Sequence, residues 1–88
     1  MQTKKPDEPR RRGVGSVETA GIILSALVQC GGAARLKQLE EVTGIHSATL
    51  HRYLLSLIET GLVWREPDSS RYTFGLLAFR IGGMASRD

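Results

Sequence analysis

The chain has 88 residues, 41% of them hydrophobic, and a net charge of +3 at pH 7. This length fits one small domain, because single domains typically have about 100–150 residues, and it excludes a large multi-layer enzyme fold. No apolar stretch approaches the ~20 residues that a membrane-spanning helix needs. The single cysteine, Cys30, excludes an internal disulfide framework and any multi-cysteine metal site.

The positive charge is concentrated in the first twelve residues, which hold five basic and two acidic side chains. That segment accounts for the whole +3, so residues 13–88 carry no net charge. Residues 1–15 also contain two prolines and two glycines without apolar periodicity, which predicts a disordered arm. Arg10, Arg11 and Arg12 in such an arm favour contact with a polyanion, nucleic acid above all, while a solvated terminus is the alternative.

The first helix is predicted at about residues 17–30, where apolar side chains recur at helical spacing. Ser16 is expected to be its N-cap, because a serine hydroxyl can accept a bond from a free amide of the first turn. A secretory signal is the rival interpretation of the same region, with the arginines before an apolar run at residues 20–28. The amphipathic pattern and Glu18 favour the helix.

Two further helices are predicted close together. The first of them is expected at about residues 36–43 and ends at Gly44. The next begins near Ser47 or His46 and ends at Gly61, which can supply the left-handed stop. One side of this third helix carries an apolar stripe, formed by Leu50, Leu54, Leu57 and Ile58.

A β-hairpin is predicted after the third helix. Residues 62–66 and 71–74 are rich in β-branched, apolar and aromatic side chains, and residues 67–70 between them have the composition of a turn. Trp64 is expected to pack this hairpin onto the helices. A further helix is predicted to start at residues 76–81.

Two short helices joined by a glycine-containing turn and followed by a hairpin predict a mainly α (α+β) fold. The specific expectation is a three-helix winged helix-turn-helix with a two-stranded wing. In that arrangement the second helix of the pair enters the DNA major groove. Its outward face is predicted to carry Ala48 and Arg52, flanked by Thr49 and His51, with Ser47 at the helix start.

The hairpin and the outward helical face together suggest the partner. Arg65 and Arg71 lie near the turn of the hairpin, where they can reach the DNA backbone. Leu55 and Glu59 are less suited to DNA, and with the neutral body they favour an alternative, a winged-helix module that binds protein. Replacing Leu55 separates the two hypotheses, because only a protein-binding surface should depend strongly on it.

No catalytic constellation is recognisable, so the chain is not expected to be an enzyme. His46 and His51 are five residues apart, which does not place them on one helical face, and no carboxylate cluster or second cysteine accompanies them. No cofactor or metal is therefore expected.

Several segments, in this order and spacing, resemble the N-terminal domain of IclR-type transcriptional regulators. They are Ser16-Val17-Glu18, Thr43-Gly44-Ile45, residues 48–57, Gly61-Leu62-Val63 and residues 71–75. The similarity covers about residues 14–83, which is nearly the whole chain outside the arm. The domain organisation expected from it is an arm at residues 1–15, a winged helix-turn-helix at 16–75 and the start of a linker helix at 76–88.

This resemblance implies a bacterial, cytoplasmic, homodimeric regulator that binds double-stranded DNA. In the family, the residues matching 47–52 enter the major groove and the wing near Arg71 lies along the backbone. The linker helix leads to a larger C-terminal domain, absent from this chain, that binds a small-molecule effector.

Overall fold

The computed structural model describes residues 12–86, so two of the predicted DNA contacts, Arg10 and Arg11, lie outside the described residues. The helices and strands, in chain order, are α1 Gly15–Gln29, β1 Ala33–Ala34, α2 Leu36–Thr43, α3 Ser47–Thr60, β2 Val63–Arg65, β3 Tyr72–Phe74 and α4 Leu76–Ala85. This is the predicted winged helix-turn-helix, with one strand more than the sequence indicates.

Helices α2 and α3 have the predicted bounds, because local signals fix their ends. Gly44 and Gly61 follow them with left-handed φ angles of 74° and 88°, which glycine adopts without a steric penalty. The start of α1 differs from the prediction. Ser16 is not the N-cap, because the helix begins at Gly15 and the capping position is Val14, whose side chain makes no capping hydrogen bond.

The core receives at least one side chain from every helix and strand except α4. Each helix of the bundle turns its apolar stripe inward, and β2 and β3 each add one residue from the wing. The buried residues are Ile23, Ala26, Leu27, Ala34, Leu39, Leu50, Leu54, Leu57, Val63 and Tyr72. The predicted stripe of α3 is therefore confirmed, and the core fixes which face of α3 remains free.

The three strands form an antiparallel sheet in the order β1-β3-β2. Strands β2 and β3 are the predicted hairpin, with Val63 opposite Phe74. Strand β1 pairs with the other edge of β3, where Ala33 lies opposite Thr73. Two alanines carry no strand signal of their own, so the sequence predicts only a two-stranded wing. The additional strand ties the connection between α1 and α2 to the wing.

The backbone just after α3 is in close contact with the backbone at the start of α4, and each side of this contact contains a glycine. The N–H of Gly75 donates to the carbonyl of Leu62 at 3.0 Å, and the N–H of Leu77 donates to the carbonyl of Gly61 at 2.9 Å. A Cβ atom on Gly75 would overlap the Gly61 carbonyl oxygen and lie 3.0 Å from the carbonyl oxygen of Val63. Gly75 is thus required for space, and we call this contact the glycine crossing.

Helix α4 extends beyond the predicted residues 76–81, through two glycines to Ala85, and none of its residues is buried. Its large apolar side chains are mostly exposed to solvent. Those more than half exposed are Leu76, Phe79, Ile81 and Met84. We call these four residues the α4 apolar face. No helix within residues 12–86 has the length and apolar character needed to cross a membrane.

Candidate nucleic-acid interface

The start of α3 and its exposed side carry the five residues of this helix that are predicted to contact DNA. Ala48, His51 and Arg52 are exposed, whereas Ser47 and Thr49 are half-buried. They lie in the first two turns of the helix, the part that enters the major groove in helix-turn-helix proteins. The small side chain of Ala48 leaves room for a close approach of the backbone, with polar groups on either side.

The turn between α2 and α3 is held by side-chain hydrogen bonds. The hydroxyl of Thr43 donates to the carbonyl of Leu39 at 2.7 Å and accepts from the N–H of Ile45 at 3.1 Å. Together with the left-handed Gly44, these bonds set the direction in which α3 leaves the turn. The presentation of its outward face is therefore fixed locally.

His46 is the N-cap of α3, a role that the sequence analysis did not assign. Its Nδ1 atom accepts from the N–H of Ala48 at 3.2 Å. The usual capping residues are Ser, Thr, Asp and Asn, so a histidine gives little signal. The sequence predicts that Ser47 lies among free backbone amides at the helix start. His46 occupies one of these amides, that of Ala48, so fewer of them are available to a phosphate there.

Arg52 lies at the edge of a groove of about 500 Å³ between α1 and α3. Ser16 and Val17 of α1 line the same groove, together with Tyr53 of α3. Arg12, the last arginine of the predicted arm, is exposed and stands just before α1. The first turn of α1, which follows Arg12 in the chain, therefore lies beside Arg52.

Both predicted arginines of the wing have partners within the hairpin. The guanidinium carbon of Arg65 lies 5.7 Å from the centre of the Tyr72 ring, a cation–π distance. The Nε atom of Arg71 lies 3.0 Å from Oε1 of Glu66, and its Nη2 lies 3.4 Å from Oε2. The structure thus places both arginines on one hairpin, where Arg65 already contacts Tyr72 and Arg71 is paired with Glu66.

Glu66 is central to the electrostatics of the wing. The Ser69 hydroxyl donates to the same Oε1 that receives the Nε–H of Arg71. These bonds lower the pKa of the Glu66 carboxyl, Ser69 contributing most and Arg71 next. Because Glu66 and Asp68 balance Arg65 and Arg71, the wing has no net charge. Glu66 was not among the residues predicted from the sequence, although its position opposite Arg71 extends the hairpin register.

Two large apolar side chains stand on the outer surface. Leu55 and Trp64 are each 54% exposed. The prediction that Trp64 packs the wing onto the helices is wrong, because side chains alternate along a strand and its neighbour Val63 takes the inward position. Leu55 lies one turn beyond Arg52 on the outward face of α3, as predicted.

The titratable side chains are dispersed. Within residues 12–86, no three His, Cys, Asp or Glu side chains come close enough to hold a metal ion. His46 caps α3 while His51 lies on the outward face. The candidate interface instead consists of hydrogen-bonding side chains and Arg52 at the start of α3, with two further arginines on the hairpin.

The model of the IclR helix-turn-helix domain family matches residues 16–67, which is more than half of the chain. The chain belongs to this family. The resemblance stated from the sequence is thereby confirmed. No curated protein matches the chain with significance.

Solved structures resemble this IclR-type domain over most of its length. HmgR from Pseudomonas aeruginosa is 35% identical with a TM-score of 0.79, over 85% of this chain and 32% of that one. An IclR transcriptional regulator from Alicyclobacillus acidocaldarius is 28% identical with a TM-score of 0.74, over 84% and 30%. An IclR family transcriptional regulator from Brucella abortus is 16% identical with a TM-score of 0.72, over 83% and 28%, which shows the fold alone.

The chain spans about a third of the length of these three proteins. The family and the named regulators place this domain among the DNA-binding helix-turn-helix domains of transcription regulation.

Proposed function

We propose that this IclR-type domain binds duplex DNA in a sequence-specific manner, with the first two turns of α3 in the major groove. The observation that supports this is the group of polar side chains at the start of α3, on a helix that packs Leu50, Leu54 and Leu57 into the core. A major groove about 12 Å wide admits one such helix. The hydrogen bonds of Thr43 in the turn before α3 and the His46 cap support this presentation of α3.

Each residue of the α3 face has a role set by its chemistry. Arg52 donates either to a guanine edge, which is the commonest base-specific contact, or to a phosphate of the DNA backbone. Thr49 and His51 supply further donors and acceptors beside it. Ala48 allows the close approach, and Ser47 donates to a phosphate at the helix start.

The wing and the arm hold the backbone on either side of α3. Arg65 and Arg71 contact phosphates from the hairpin. Arg10, Arg11 and Arg12 contact an adjacent minor groove or its phosphates, which is supported by the exposure of Arg12 shortly before α1. Such contacts position the domain and add affinity without reading bases.

We further propose that two copies of the domain act as a homodimer joined through the α4 apolar face. All four of these large apolar side chains are more than half exposed. Contiguous apolar surface of this kind often marks a binding site, and a second copy of the domain can cover it symmetrically. Two copies then read half-sites about 34–36 Å apart, or a multiple of that distance. Binding of a small-molecule effector is assigned to a region outside this domain, as in longer family members.

The decisive experiment is fluorescence anisotropy on mixed-sequence duplex DNA from 50 to 300 mM salt, comparing the wild type with Arg52→Ala. Binding should weaken about 5- to 150-fold in the variant, because a good arginine contact contributes ~1–3 kcal/mol. Lys37→Ala is the matched control, since Lys37 is an exposed helical cation of α2 to which no DNA contact is assigned. Equal affinity for both variants would overturn the assignment of α3.

A protein-binding module is the second candidate, and the exposure of Leu55 and Trp64 is what favours it. On the DNA hypothesis, Leu55→Ala changes DNA affinity by less than about threefold. Absence of DNA binding at 50 mM salt, with a properly folded domain, would favour the second candidate instead.

A further inference from the structure

The wing turn is a closed ring of hydrogen bonds around one carboxylate. The backbone N–H of Glu66 donates to the carbonyl of Arg71 at 2.8 Å, and the N–H of Ser70 donates to the carbonyl of Glu66 at 3.0 Å. Within this ring the Glu66 carboxylate accepts from both the Ser69 hydroxyl and the Arg71 guanidinium. The Ser69 oxygen in turn accepts from the N–H of Arg71 at 3.3 Å. Arg71 is therefore held at its backbone N–H by Ser69 and at its guanidinium by Glu66.

The geometry of the ion pair leaves part of the guanidinium available. Glu66 occupies the side formed by Nε and Nη2 of Arg71, at 3.0 and 3.4 Å. A guanidinium has five N–H donors in a planar fork, so the edge formed by Nη1 and Nη2 still has donors directed away from Glu66. The Arg71 side chain is 44% exposed, so an incoming phosphate can reach that edge.

We propose that Glu66 is a positioning residue for DNA binding, which holds Arg71 with its free edge directed at a backbone phosphate. This inference rests on the proposed function, because it names how the wing contact is built. A long arginine side chain loses rotamer freedom when it binds, and a side chain that is already held loses less. Glu66 therefore improves the geometry of the contact.

Glu66 also has an opposing effect, because its charge cancels that of Arg71. The carboxylate stays ionised near neutral pH, since its pKa is lowered by the bonds it accepts. The pair presents donors to a phosphate with no net charge, so it releases few counterions. Replacing Glu66 by a neutral residue should accordingly steepen the salt dependence by up to about 0.9 units per protomer. Positioning and charge must therefore be measured separately.

Two variants of equal charge separate these effects. Glu66→Gln retains the Oε1 acceptor used by both Ser69 and Arg71 and removes the charge. Glu66→Ala removes the acceptor and the charge. We expect Glu66→Ala to bind duplex DNA about two- to fivefold more weakly than Glu66→Gln at every salt concentration, because only positioning differs between them. Both variants should show the same steeper salt slope.

The matched charge control is Asp68→Asn. Asp68 is an exposed acid of the same turn, and among the described residues it takes part in no ion pair. This variant should steepen the slope like the two Glu66 variants while leaving the Arg71 contact in place. Thermal melts of each variant, within a few degrees of the wild type, establish that the affinities are those of folded domains.

A double-mutant cycle tests whether Glu66 acts through Arg71. With Arg71→Ala in both backgrounds, the affinity difference between Glu66→Gln and Glu66→Ala should vanish. A difference that persists there, or equal affinities in the presence of Arg71, would overturn the positioning role. If Arg52→Ala still weakens binding in that case, only this inference fails. If the wild type does not bind DNA at all, the proposed function and this inference fail together.

Discussion

Replacing Gly75 by alanine should destabilise the domain, because the added methyl group has no space. At the glycine crossing, the new Cβ would meet the Gly61 carbonyl oxygen and would lie 3.0 Å from the Val63 carbonyl oxygen. These are backbone atoms, which cannot rotate out of the way as a flexible side chain can. Relief requires α4 to separate from α3, which breaks the bond from the Leu77 N–H to Gly61.

The size of the effect follows from two opposing contributions. Overpacking a well-packed site costs about 1–3 kcal/mol. A Gly→Ala change also stiffens the unfolded chain, which offsets about 0.4–1 kcal/mol. The free energy of unfolding of Gly75→Ala should thus fall by about 1–2 kcal/mol. For a domain of this size, each 1 kcal/mol lowers Tm by about 4–8 °C.

Thermal unfolding followed by circular dichroism at 222 nm measures this change, with Gly82→Ala as the matched control. Gly82 lies within the same helix α4, and no heavy atom lies within 4 Å of the position its Cβ would take. Alanine is preferred to glycine inside a helix by about 1 kcal/mol, so Gly82→Ala should raise Tm. Shifts of equal sign in the two variants would refute the reasoning, because crowding at Gly75 is what separates them.

Three further predictions concern the arm, α4 and the wing. Deleting residues 1–12 should flatten the salt slope of DNA binding by up to about three to four units per protomer without altering sequence preference; an unchanged slope would show that the arm does not contact DNA. Phe79→Lys in the α4 apolar face should convert a dimer to monomers in sedimentation velocity with unchanged helicity, and a monomeric wild type would contradict the proposed interface. NMR titration should place the Glu66 pKa below its ordinary 4.5, because bonds from Ser69 and Arg71 favour the ionised form only in the folded chain. The stability that these bonds add is complete above the unfolded pKa and is lost as pH falls through the folded pKa. A titration midpoint at or above 4.5 would contradict the wing geometry.

The features that the sequence predicted are those set by neighbouring residues. Helices α2 and α3 end at glycines whose left-handed conformation is a local property. The apolar stripe of α3 follows from the helical spacing of its leucines, and Arg52 faces outward because it lies on the opposite side of the helix. The order of the helices and the hairpin follows from the same local signals, and the structure confirms it.

The features that it missed depend on residues brought together by folding. Strand β1 exists because β3 lies beside it, since Ala33–Ala34 alone has no tendency to be extended. The ion pair of Arg71 with Glu66 requires the hairpin register, which composition does not give. Trp64 fits either side of a strand, and only the register of β2 decides that it faces outward.

The short strand β1 also has a consequence for the order of folding. Strands β2 and β3 are close in the chain and can pair as a local hairpin, whereas β1 and β3 are separated by both α2 and α3. Closing that long loop carries an entropic cost that grows with its length. Strand β3 therefore completes its pairing only after the helices have collapsed, so the edge of β3 that faces β1 should be the last part of the sheet to form. Amides on that edge are the ones to follow in a pulse-labelled hydrogen-exchange experiment.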